Sequence, residues 1–356
     1  MKKSSNISPA KRIALGMSGG VDSAVSAALL AAAGFEVVGV TCLFFDDERS
    51  RAAARDAAAV CTQFGIEHHV IHATDCFERD VVEPFVKDYE QGLTPSPCAA
   101  CNAQCKIPLL LNAADEFACE KVSTGHYARI AQLSENNRFV VKAALDSSKD
   151  QSYMLSRLTQ DQLCRLVLPL GASTKAEVRI IAQDLGLVVA EKPESQDVCF
   201  IEGDYRDFLE ARGVRGKPGL ITNREGKVLG EHKGLEKYTV GQRKGIGIAA
   251  EKPYYVIEKQ LDSNKLIVGF KEETLISRVS LDSLNWLAFE RPGDQLDCMV
   301  KLRYRSRPAP ARLHVLDEGA LIELISPQQT TSPGQIAVFY QGETVLGSGR
   351  IISVTR

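Results

Sequence analysis

The sequence has no excess of either charge. Its 356 residues include 43 lysines and arginines against 45 aspartates and glutamates, for a net charge of −2. A chain this close to neutrality has no global attraction for polyanions, so any contact with nucleic acid must come from a local basic surface. The apolar and charged fractions of 44% and 25% are those of folded globular domains, which argues against disorder.

The sequence also lacks long apolar runs, internal repeats and low-complexity tracts. No stretch approaches the roughly 18 apolar residues of a membrane span, and residues 1–11 are polar, without the apolar core of a secretory signal. We therefore expect a cytoplasmic protein without a membrane partner. In that compartment, its ten cysteines would serve packing, metal binding or catalysis rather than a disulfide framework.

Length and local pattern predict three domains. Apolar strands and amphipathic helices alternate from Arg12 to about residue 204, which predicts an α/β doubly wound parallel sheet. Lysine and arginine then outnumber the acids in a glycine-rich stretch, and short alternating strands follow from about residue 275. We predict a tail at 1–10, an α/β catalytic domain at 11–204, a small basic β-rich domain at 205–272 and a C-terminal β-barrel at 273–356.

A phosphate-binding loop is predicted between the first strand and the first helix. The segment SGGVDS, from Ser18 to Ser23, combines two glycines, hydroxyl groups and a helix N-terminus, all of which favour a bound anion. It is neither a Walker A loop nor a Gly-x-Gly-x-x-Gly motif. Asp22 would help to hold a Mg²⁺ ion with the phosphates. The alternative is an ordinary turn in which Asp or Ser caps the helix.

A second cluster of reactive residues is formed by cysteines. Cys98, Cys101 and Cys105 follow two prolines, so a helix beginning near Cys98 would place all three on one face and lower their pKa values. Cys199 lies in an irregular segment. The alternatives are a structural zinc site, a redox Cys-x-x-Cys motif, and a sulfur-transfer or Fe–S site. Zinc would need a second Cys-x-x-Cys or a His pair, and redox chemistry alone would not need a phosphate loop, so sulfur transfer fits best. The role of Cys105 is ambiguous. We expect the other six cysteines to be buried packing thiols: Cys42, Cys61, Cys76, Cys119, Cys164 and Cys298.

Several motifs together resemble one known family. The loop is similar to that of the N-type ATP pyrophosphatases, which split ATP between its α and β phosphates and adenylate a carbonyl oxygen. The ordered set of motifs resembles the tRNA-specific 2-thiouridylases over nearly the whole chain. These motifs are GMSGGVDS at 16–23, TPSPCAACN at 94–102, STGHY at 123–127, KDQSY at 149–153, KPESQDVCFI at 192–201, YTVGQRKGIG at 238–247 and PGQ at 333–335.

The resemblance implies an ATP-dependent transfer of sulfur to tRNA. ATP would adenylate the C2 oxygen of the wobble uridine, and a persulfide on Cys199, charged by a sulfur-donor protein, would replace that oxygen and release AMP. Cys101 would attack the persulfide, either freeing sulfide or ending in a disulfide with Cys199. Within the family, the alternative is a 4Fe-4S cluster held by Cys98, Cys101 and Cys199, whose open iron binds sulfide.

The resemblance also implies two sets of binding residues. The ATP site would comprise Gly16, Met17, Ser18, Gly19, Gly20, Val21, Asp22, Ser23, Leu43 and Gly125. The tRNA site would comprise Ser96, Pro97, Cys98, His126, Lys149, Asp150, Gln151, Arg303, Tyr304 and Gln335. Ser96 departs from the asparagine that the family commonly has beside the target base. That base would have to leave its stack to reach the site.

A basic row in the C-terminal domain supports contact with RNA. If the segment is a strand, alternation places Lys301, Arg303, Arg305 and Arg307 on one face, where they could follow a phosphate backbone. A solvated charged strand is the alternative. Two rival functions remain for the whole chain: another pyrophosphatase-loop enzyme, such as an amidotransferase-linked synthetase, and a non-catalytic RNA-binding protein.

Overall fold

A computed structural model describes residues 11–192 and 198–356 of the chain. These residues divide into two compact units. The first contains residues 11–81, 99–192 and 343–345, and the second contains residues 82–98, 198–342 and 346–356. Every helix in the described ranges is too short or too polar to span a membrane.

The described part of the chain contains α-helices, two π-helical turns and short 3₁₀ turns. The α-helices are α1 (Val21–Ala32), α2 (Glu48–Phe64), α3 (Thr74–Phe77), α4 (Glu83–Glu90), α5 (Pro97–Cys101), α6 (Ile107–Glu116), α7 (Gln160–Arg165), α8 (Lys175–Asp184) and α9 (Tyr205–Ala211). The π-helical turns are Glu78–Val82 and Asn102–Lys106, and the 3₁₀ turns are Ser152–Leu155, Pro169–Ala172, Leu235–Lys237 and Lys271–Thr274.

The first unit is built on a parallel five-stranded sheet. Its strands are β1 (Arg12–Gly16), β2 (Glu36–Leu43), β3 (Glu67–His72), β4 (Lys121–Ser123) and β7 (Leu166–Val167), in the order β3-β2-β1-β4-β7. An antiparallel hairpin outside this parallel sheet pairs β5 (Arg129–Gln132) with β6 (Phe139–Lys142), and Lys142 of β6 also pairs with Thr344. Three successive residues of β1, Ile13 to Leu15, are fully buried, as expected for a central parallel strand covered on both faces. The predicted doubly wound α/β sheet is confirmed.

Local sequence signals fix the helices of this unit. Seven of the twelve residues of α1 are buried, among them every residue from Ser23 to Ala27, as expected of a helix that is covered on most sides. Asp47 caps α2 by accepting a hydrogen bond from the Ser50 amide, and Gly65 ends the helix in the left-handed conformation. Thr174 and Glu177 form a reciprocal capping box at the start of α8.

The second unit contains two β structures, as the sequence predicts. A four-stranded sheet has the order β10-β11-β8-β9, from β8 (Gly219–Thr222), β9 (Val228–His232), β10 (Tyr255–Gln260) and β11 (Lys265–Gly269). A six-stranded barrel has the order β12-β15-β14-β13-β16-β17, closed by pairing of β12 with β17. Its strands are β12 (Leu275–Trp286), β13 (Gln295–Lys301), β14 (Ala309–Val315), β15 (Ala320–Gln329), β16 (Ile336–Gln341) and β17 (Thr344–Thr355).

Candidate active site

The glycine-rich loop joins β1 to α1 and is shaped to accept an anion. Gly19 has a φ of +67°, and a Cβ atom there would lie 2.2 Å from the Ala53 carbonyl oxygen. A non-glycine residue is therefore excluded by conformation and by space. Gly20 caps α1 without any side-chain hydrogen bond, so the helix presents backbone N–H groups that no cap satisfies. Such an N-terminus attracts a phosphate group.

Side chains and backbone hold this loop in place. The Ser23 hydroxyl accepts a hydrogen bond from the Ser18 amide at 3.2 Å and donates to the Gly20 carbonyl at 3.0 Å. The Met17 amide donates to the Val40 carbonyl of β2 at 2.8 Å. These internal hydrogen bonds hold the loop in one conformation, which lowers the entropic cost of binding an anion.

Asp22 lies at the centre of a partly buried charge network. Lys175 Nζ is 2.8 and 2.9 Å from the two Asp22 carboxylate oxygens, and the Tyr127 hydroxyl donates to Oδ1 at 2.7 Å. Lys175 is 8% exposed and is the first residue of α8. The sequence interpretation missed this lysine, although Lys175, Val178 and Ala182 share the buried face of α8, and that spacing is visible in the sequence.

A second lysine joins another segment to the loop. Lys192 Nζ donates to the Gly19 carbonyl at 2.9 Å and to Asp56 Oδ2 at 2.6 Å. Lys192 opens the KPESQDVCFI motif, whose residues 193–197 lie outside the described part of the chain. The motif therefore contributes a contact to the phosphate loop in addition to its cysteine.

The segment after β4 also borders the loop. A Cβ atom on Gly125 would lie 3.0 Å from the Asp22 carbonyl carbon and the Ser23 amide nitrogen, so the backbones approach closely here. Leu43 is buried at the carboxyl end of β2. The carboxyl ends of the parallel strands are where ligands bind in such sheets.

His126 is a half-buried, uncharged histidine. Its Nδ1 lies 2.7 Å from the Thr124 hydroxyl oxygen. Burial, assisted by the positive charge of Lys106, lowers the pKa of His126 to about 3. At neutral pH it can therefore exchange hydrogen bonds with a ligand but carries no charge for phosphate binding.

The KDQSY segment supports the site by hydrogen bonds to backbone and side-chain groups of its neighbours. Gln151 donates its amide to the Tyr127 carbonyl at 2.8 Å, and its side-chain oxygen accepts from the Tyr127 amide at 2.9 Å. Asp150 accepts hydrogen bonds from the Ala144 amide and from the amide and hydroxyl of Ser152. Asp150 and Gln151 thus fix the position of the tyrosine that contacts Asp22.

The cysteine segment is only partly as the sequence predicts. A helix does begin beside Cys98, but α5 passes directly into the π-helical turn Asn102–Lys106 before α6. Cys98 is exposed, whereas Cys101 and Cys105 are 7% and 0% exposed. The thiols of Cys101 and Cys105 are hydrogen-bonded to each other, as expected of side chains on one face, whereas Cys98 differs from both in its exposure.

Cys101 is the activated thiol of this segment. A hydrogen bond from the Cys105 thiol lowers the pKa of Cys101 to about 6 despite burial, and the Lys106 charge and backbone N–H act in the same direction. The positive charge of Lys106 also acts to lower the pKa values of His126 and Cys42, so Lys106 lies near these two side chains as well as near Cys101. The lowered pKa favours the thiolate of Cys101, the form that attacks sulfur.

The remaining cysteines are thiols of mixed exposure. Cys61 and Cys119 are buried, as expected of packing residues, but four others are only partly buried: Cys42, Cys76, Cys164 and Cys298. Cys42, Cys76 and Cys164 are each the penultimate residue of a strand or helix, and this position leaves their side chains partly exposed. The expectation of full burial was wrong for these residues.

Cys199 is exposed and lies in a turn of the second unit. The next residue, Phe200, packs edge-on against Phe85 with ring centroids 5.1 Å apart and lies 5.4 Å from the Phe208 ring. These rings belong to an aromatic cluster formed by α4 and α9. Phe200 therefore anchors the chain immediately beside Cys199.

Gln335 holds the segment that leads to Cys98. Its side-chain amide donates to the carbonyls of Thr94 and Pro95, both at 2.9 Å, and the Thr94 amide donates to the Pro333 carbonyl at 2.8 Å. Ser96 and Pro97 follow and are half-buried. Gln335 thus has an internal role in positioning these residues.

The predicted basic row does not form one strand face. Strand β13 ends at Lys301, and the following residues form turns. The Arg303 guanidinium donates to the carbonyls of Val240 and Thr330. Lys301 Nζ lies 5.8 Å from the centre of the Tyr304 ring. The strand prediction was wrong because the hydrogen bonds of Arg303 to these carbonyls hold the segment in a turn. Arg305 and Arg307 are exposed.

No group of three or more His, Cys, Asp or Glu side chains in residues 11–192 and 198–356 is arranged to hold a metal ion. Of the three cysteines expected of an iron–sulfur site, Cys101 belongs to the first unit, and Cys98 and Cys199 belong to the second.

Comparison with known proteins gives matches along the whole chain. A family model described as a tRNA methyl transferase HUP domain matches residues 11–203. Models described as a tRNA methyl transferase PRC-barrel domain and an aminomethyltransferase beta-barrel domain match residues 206–270 and 277–351.

Three relatives that align over nearly the whole chain share one name. The tRNA-specific 2-thiouridylase MnmA of Microcystis aeruginosa is 42% identical over 352 residues, covering 97% of this chain and 99% of the relative. The proteins of the same name from Heliobacterium modesticaldum and Carboxydothermus hydrogenoformans are 41% and 40% identical. Both alignments cover 96% of this chain, with 92% and 97% of those relatives.

Proposed function

The chain belongs to the tRNA-specific 2-thiouridylase family, and from this membership we propose the roles of its own residues in the reaction. It is an ATP-dependent tRNA sulfurtransferase. The description of the matching domain models refers to methyl transfer, whereas the full-length relatives are named for 2-thiolation. A phosphate-binding loop together with an activated thiol fits adenylation followed by sulfur transfer.

The first step activates the base. The N–H groups at the start of α1 and the ammonium of Lys175 hold the phosphates of ATP. The C2 oxygen of the wobble uridine attacks the α phosphorus, and pyrophosphate leaves. Because Gly125 has no side chain, the backbone of the segment after β4 packs directly against Asp22 and Ser23 and so borders the phosphate loop.

Asp22 is the candidate Mg²⁺ ligand. Mg²⁺ in such sites is held by one or two carboxylates together with substrate phosphates, and a half-buried carboxylate beside the phosphate loop fits that pattern. When bound, the ion would neutralise phosphate charge. Asp22 already accepts hydrogen bonds from Lys175, so the ammonium and the ion would share one carboxylate.

The second step transfers sulfur. Cys199, exposed in its turn, receives a persulfide from a sulfur-donor protein, and the terminal sulfur attacks C2 of the adenylated uridine while AMP leaves. The Cys101 thiolate breaks the persulfide bond by attacking Cys199 Sγ, which leaves sulfur on the base and a disulfide between the two cysteines. Alternatively, Cys101 frees sulfide before the attack on C2.

The tRNA contacts are proposed from the family resemblance and from exposure. Arg305 and Arg307 offer cations to the phosphate backbone, while Tyr304 offers a ring to a base. His126 and Lys149 would meet the target nucleotide directly. The other expected tRNA residues, including Arg303, Asp150, Gln151 and Gln335, would act mainly by shaping the surface, because they bond to the protein itself.

One observation carries the proposal: the phosphate loop and the Cys101 thiolate belong to the same unit, and the segment after β4 lies near both. Gly125 adjoins Asp22, and the positive charge of Lys106 lowers the pKa of both His126 and Cys101. A unit that binds ATP phosphates and holds a thiolate at the same edge of its sheet has the two functions that thiolation requires.

The test is a thiolation assay with purified components. The protein is incubated with tRNA, ATP, Mg²⁺ and a persulfide donor, and the RNA is digested to nucleosides. We expect 2-thiouridine from the wild type and from Cys298→Ser, a half-buried thiol on β13, and none from Cys101→Ser or Cys199→Ser. Full turnover by Cys101→Ser would refute its assignment as nucleophile.

Metal analysis separates the persulfide from the cluster alternative. The protein is purified without oxygen, and iron and acid-labile sulfide are measured beside thiolation activity. Activity without stoichiometric iron supports the persulfide. Activity that follows iron content across preparations would replace it with a cluster on Cys98, Cys101 and Cys199.

A further inference from the structure

Three thiols of the first unit lie together, and the reaction described above uses only one of them. Cys76, near the end of α3, has its Sγ atom 3.6 Å from Sγ of Cys105 in the π-helical turn. Cys105 in turn donates its thiol hydrogen to Cys101. The sulfurs therefore form a continuous path from Cys101 through Cys105 to Cys76.

The three thiols differ in exposure. Cys101 and Cys105 are buried, and Cys76 is partly exposed to solvent. The Cys76 thiol also donates to Asp80 Oδ2 at 3.3 Å. The path thus leads from a buried nucleophile to a sulfur that dissolved thiols can reach.

The three thiols also differ in reactivity. Donation to Cys101, together with burial, raises the pKa of Cys105, and burial raises the pKa of Cys76. Cys101 accepts the hydrogen bond of the Cys105 thiol, and such a bond stabilises a thiolate at Cys101. Since oxidants react with thiolates, Cys101 is the sulfur of this cluster that a peroxide oxidises first.

We propose that Cys105 and Cys76 form a thiol relay that removes oxidation from Cys101 and stores it as a Cys76–Cys105 disulfide. The Cys101 thiolate attacks hydrogen peroxide, giving a sulfenic acid and hydroxide. Cys105 Sγ attacks that sulfur, forming the Cys101–Cys105 disulfide and releasing water. Cys76 then attacks Cys105 Sγ, and Cys101 leaves as a thiolate. Two thiols are oxidised and one peroxide is reduced to water.

Geometry favours this final pair. A disulfide bond is about 2.05 Å long, so two sulfurs 3.6 Å apart need to approach by only about 1.5 Å. The cysteines come from separate segments, α3 and the π-helical turn, so their bond joins two elements. The relay leaves Cys101 able to react again without passing to the irreversible sulfinic acid.

The test maps disulfides and does not require thiolation activity, so it is independent of the proposed function. The full-length protein is treated with a few equivalents of hydrogen peroxide, alkylated and digested with trypsin without reduction. Cys76 falls in the tryptic peptide 56–79 together with Cys61, and Cys105 falls in 88–106 together with Cys98 and Cys101. Cys61→Ala is the matched control, because it leaves Cys76 as the single cysteine of its peptide.

We expect the wild type and Cys61→Ala to accumulate the linked peptide pair, with fragmentation placing the bond at Cys76 and Cys105. Cys76→Ser should stop at the Cys101–Cys105 disulfide. Cys105→Ala should form neither bond and should convert Cys101 to sulfinic acid about fivefold faster. The proposal is overturned if the wild type forms no linked pair, or if Cys101 sulfinic acid forms equally fast with and without Cys105. Thermal unfolding of each variant verifies that it is folded.

Discussion

Substitution of Gly19 by alanine tests whether the loop conformation binds the phosphates. The left-handed backbone costs a non-glycine residue ~1–2 kcal/mol. The new Cβ would also lie 2.2 Å from the Ala53 carbonyl oxygen, closer than the 3.0 Å that Cβ atoms keep. The loop or α2 must then shift by about 1 Å. We expect at least about tenfold weaker ATP binding, equivalent to ~1.4 kcal/mol, measured by titration calorimetry.

Gly34→Ala is the matched control for this experiment. Gly34 follows α1, has a φ of +87° and has no atom within 4 Å of an added Cβ. It therefore pays the conformational cost without a clash, and we expect a similar loss of unfolding free energy of ~1–2 kcal/mol with ATP affinity within about twofold of the wild type. Equal ATP affinity in both variants would refute the argument that loop shape holds the nucleotide.

Three other substitutions address single contacts. Lys175→Met removes the cation paired with Asp22, so ATP should bind about tenfold more weakly in a calorimetric titration; unchanged affinity would exclude a role in phosphate binding. Lys106→Gln removes a charge that stabilises the Cys101 thiolate, so the midpoint of its alkylation rate against pH should rise above about 6; a midpoint that stays or falls contradicts this cause. Phe200→Ala loosens the chain beside Cys199 and should lower kcat for thiolation while ATP affinity is retained; an unchanged kcat would show that the anchor is dispensable.

The architecture was predictable because it depends on local patterns. The apolar strands and amphipathic helices of the first unit carry their periodicity in the sequence, and glycines end α1 and α2. The phosphate loop was predictable for the same reason, since glycines, hydroxyls and a helix N-terminus are adjacent in the chain. The β-rich second unit followed from its short alternating segments.

The electrostatic partners could not be predicted in the same way. Lys175 and Lys192 contact the loop from more than 150 residues away in sequence, and only the packed fold brings them there. The position of Arg303 was predicted wrongly. A run of alternating basic residues does not indicate which backbone carbonyl groups the guanidinium can reach once the segment forms a turn. The thiol contact between Cys76 and Cys105 likewise depends on tertiary packing.

The π-helical turn Asn102–Lys106 makes the spacing of Cys101 and Cys105 depend on chain length as well as composition. A π turn holds one residue more than an α turn, so deleting Ala103 would convert this turn to regular α-helix. Because the two kinds of turn span the same full rotation, α5 and α6 would keep their relative orientation. A chain shorter by one alanine would keep every cysteine and the direction of Cys101, and yet Cys105 would become the third residue after Cys101 instead of the fourth.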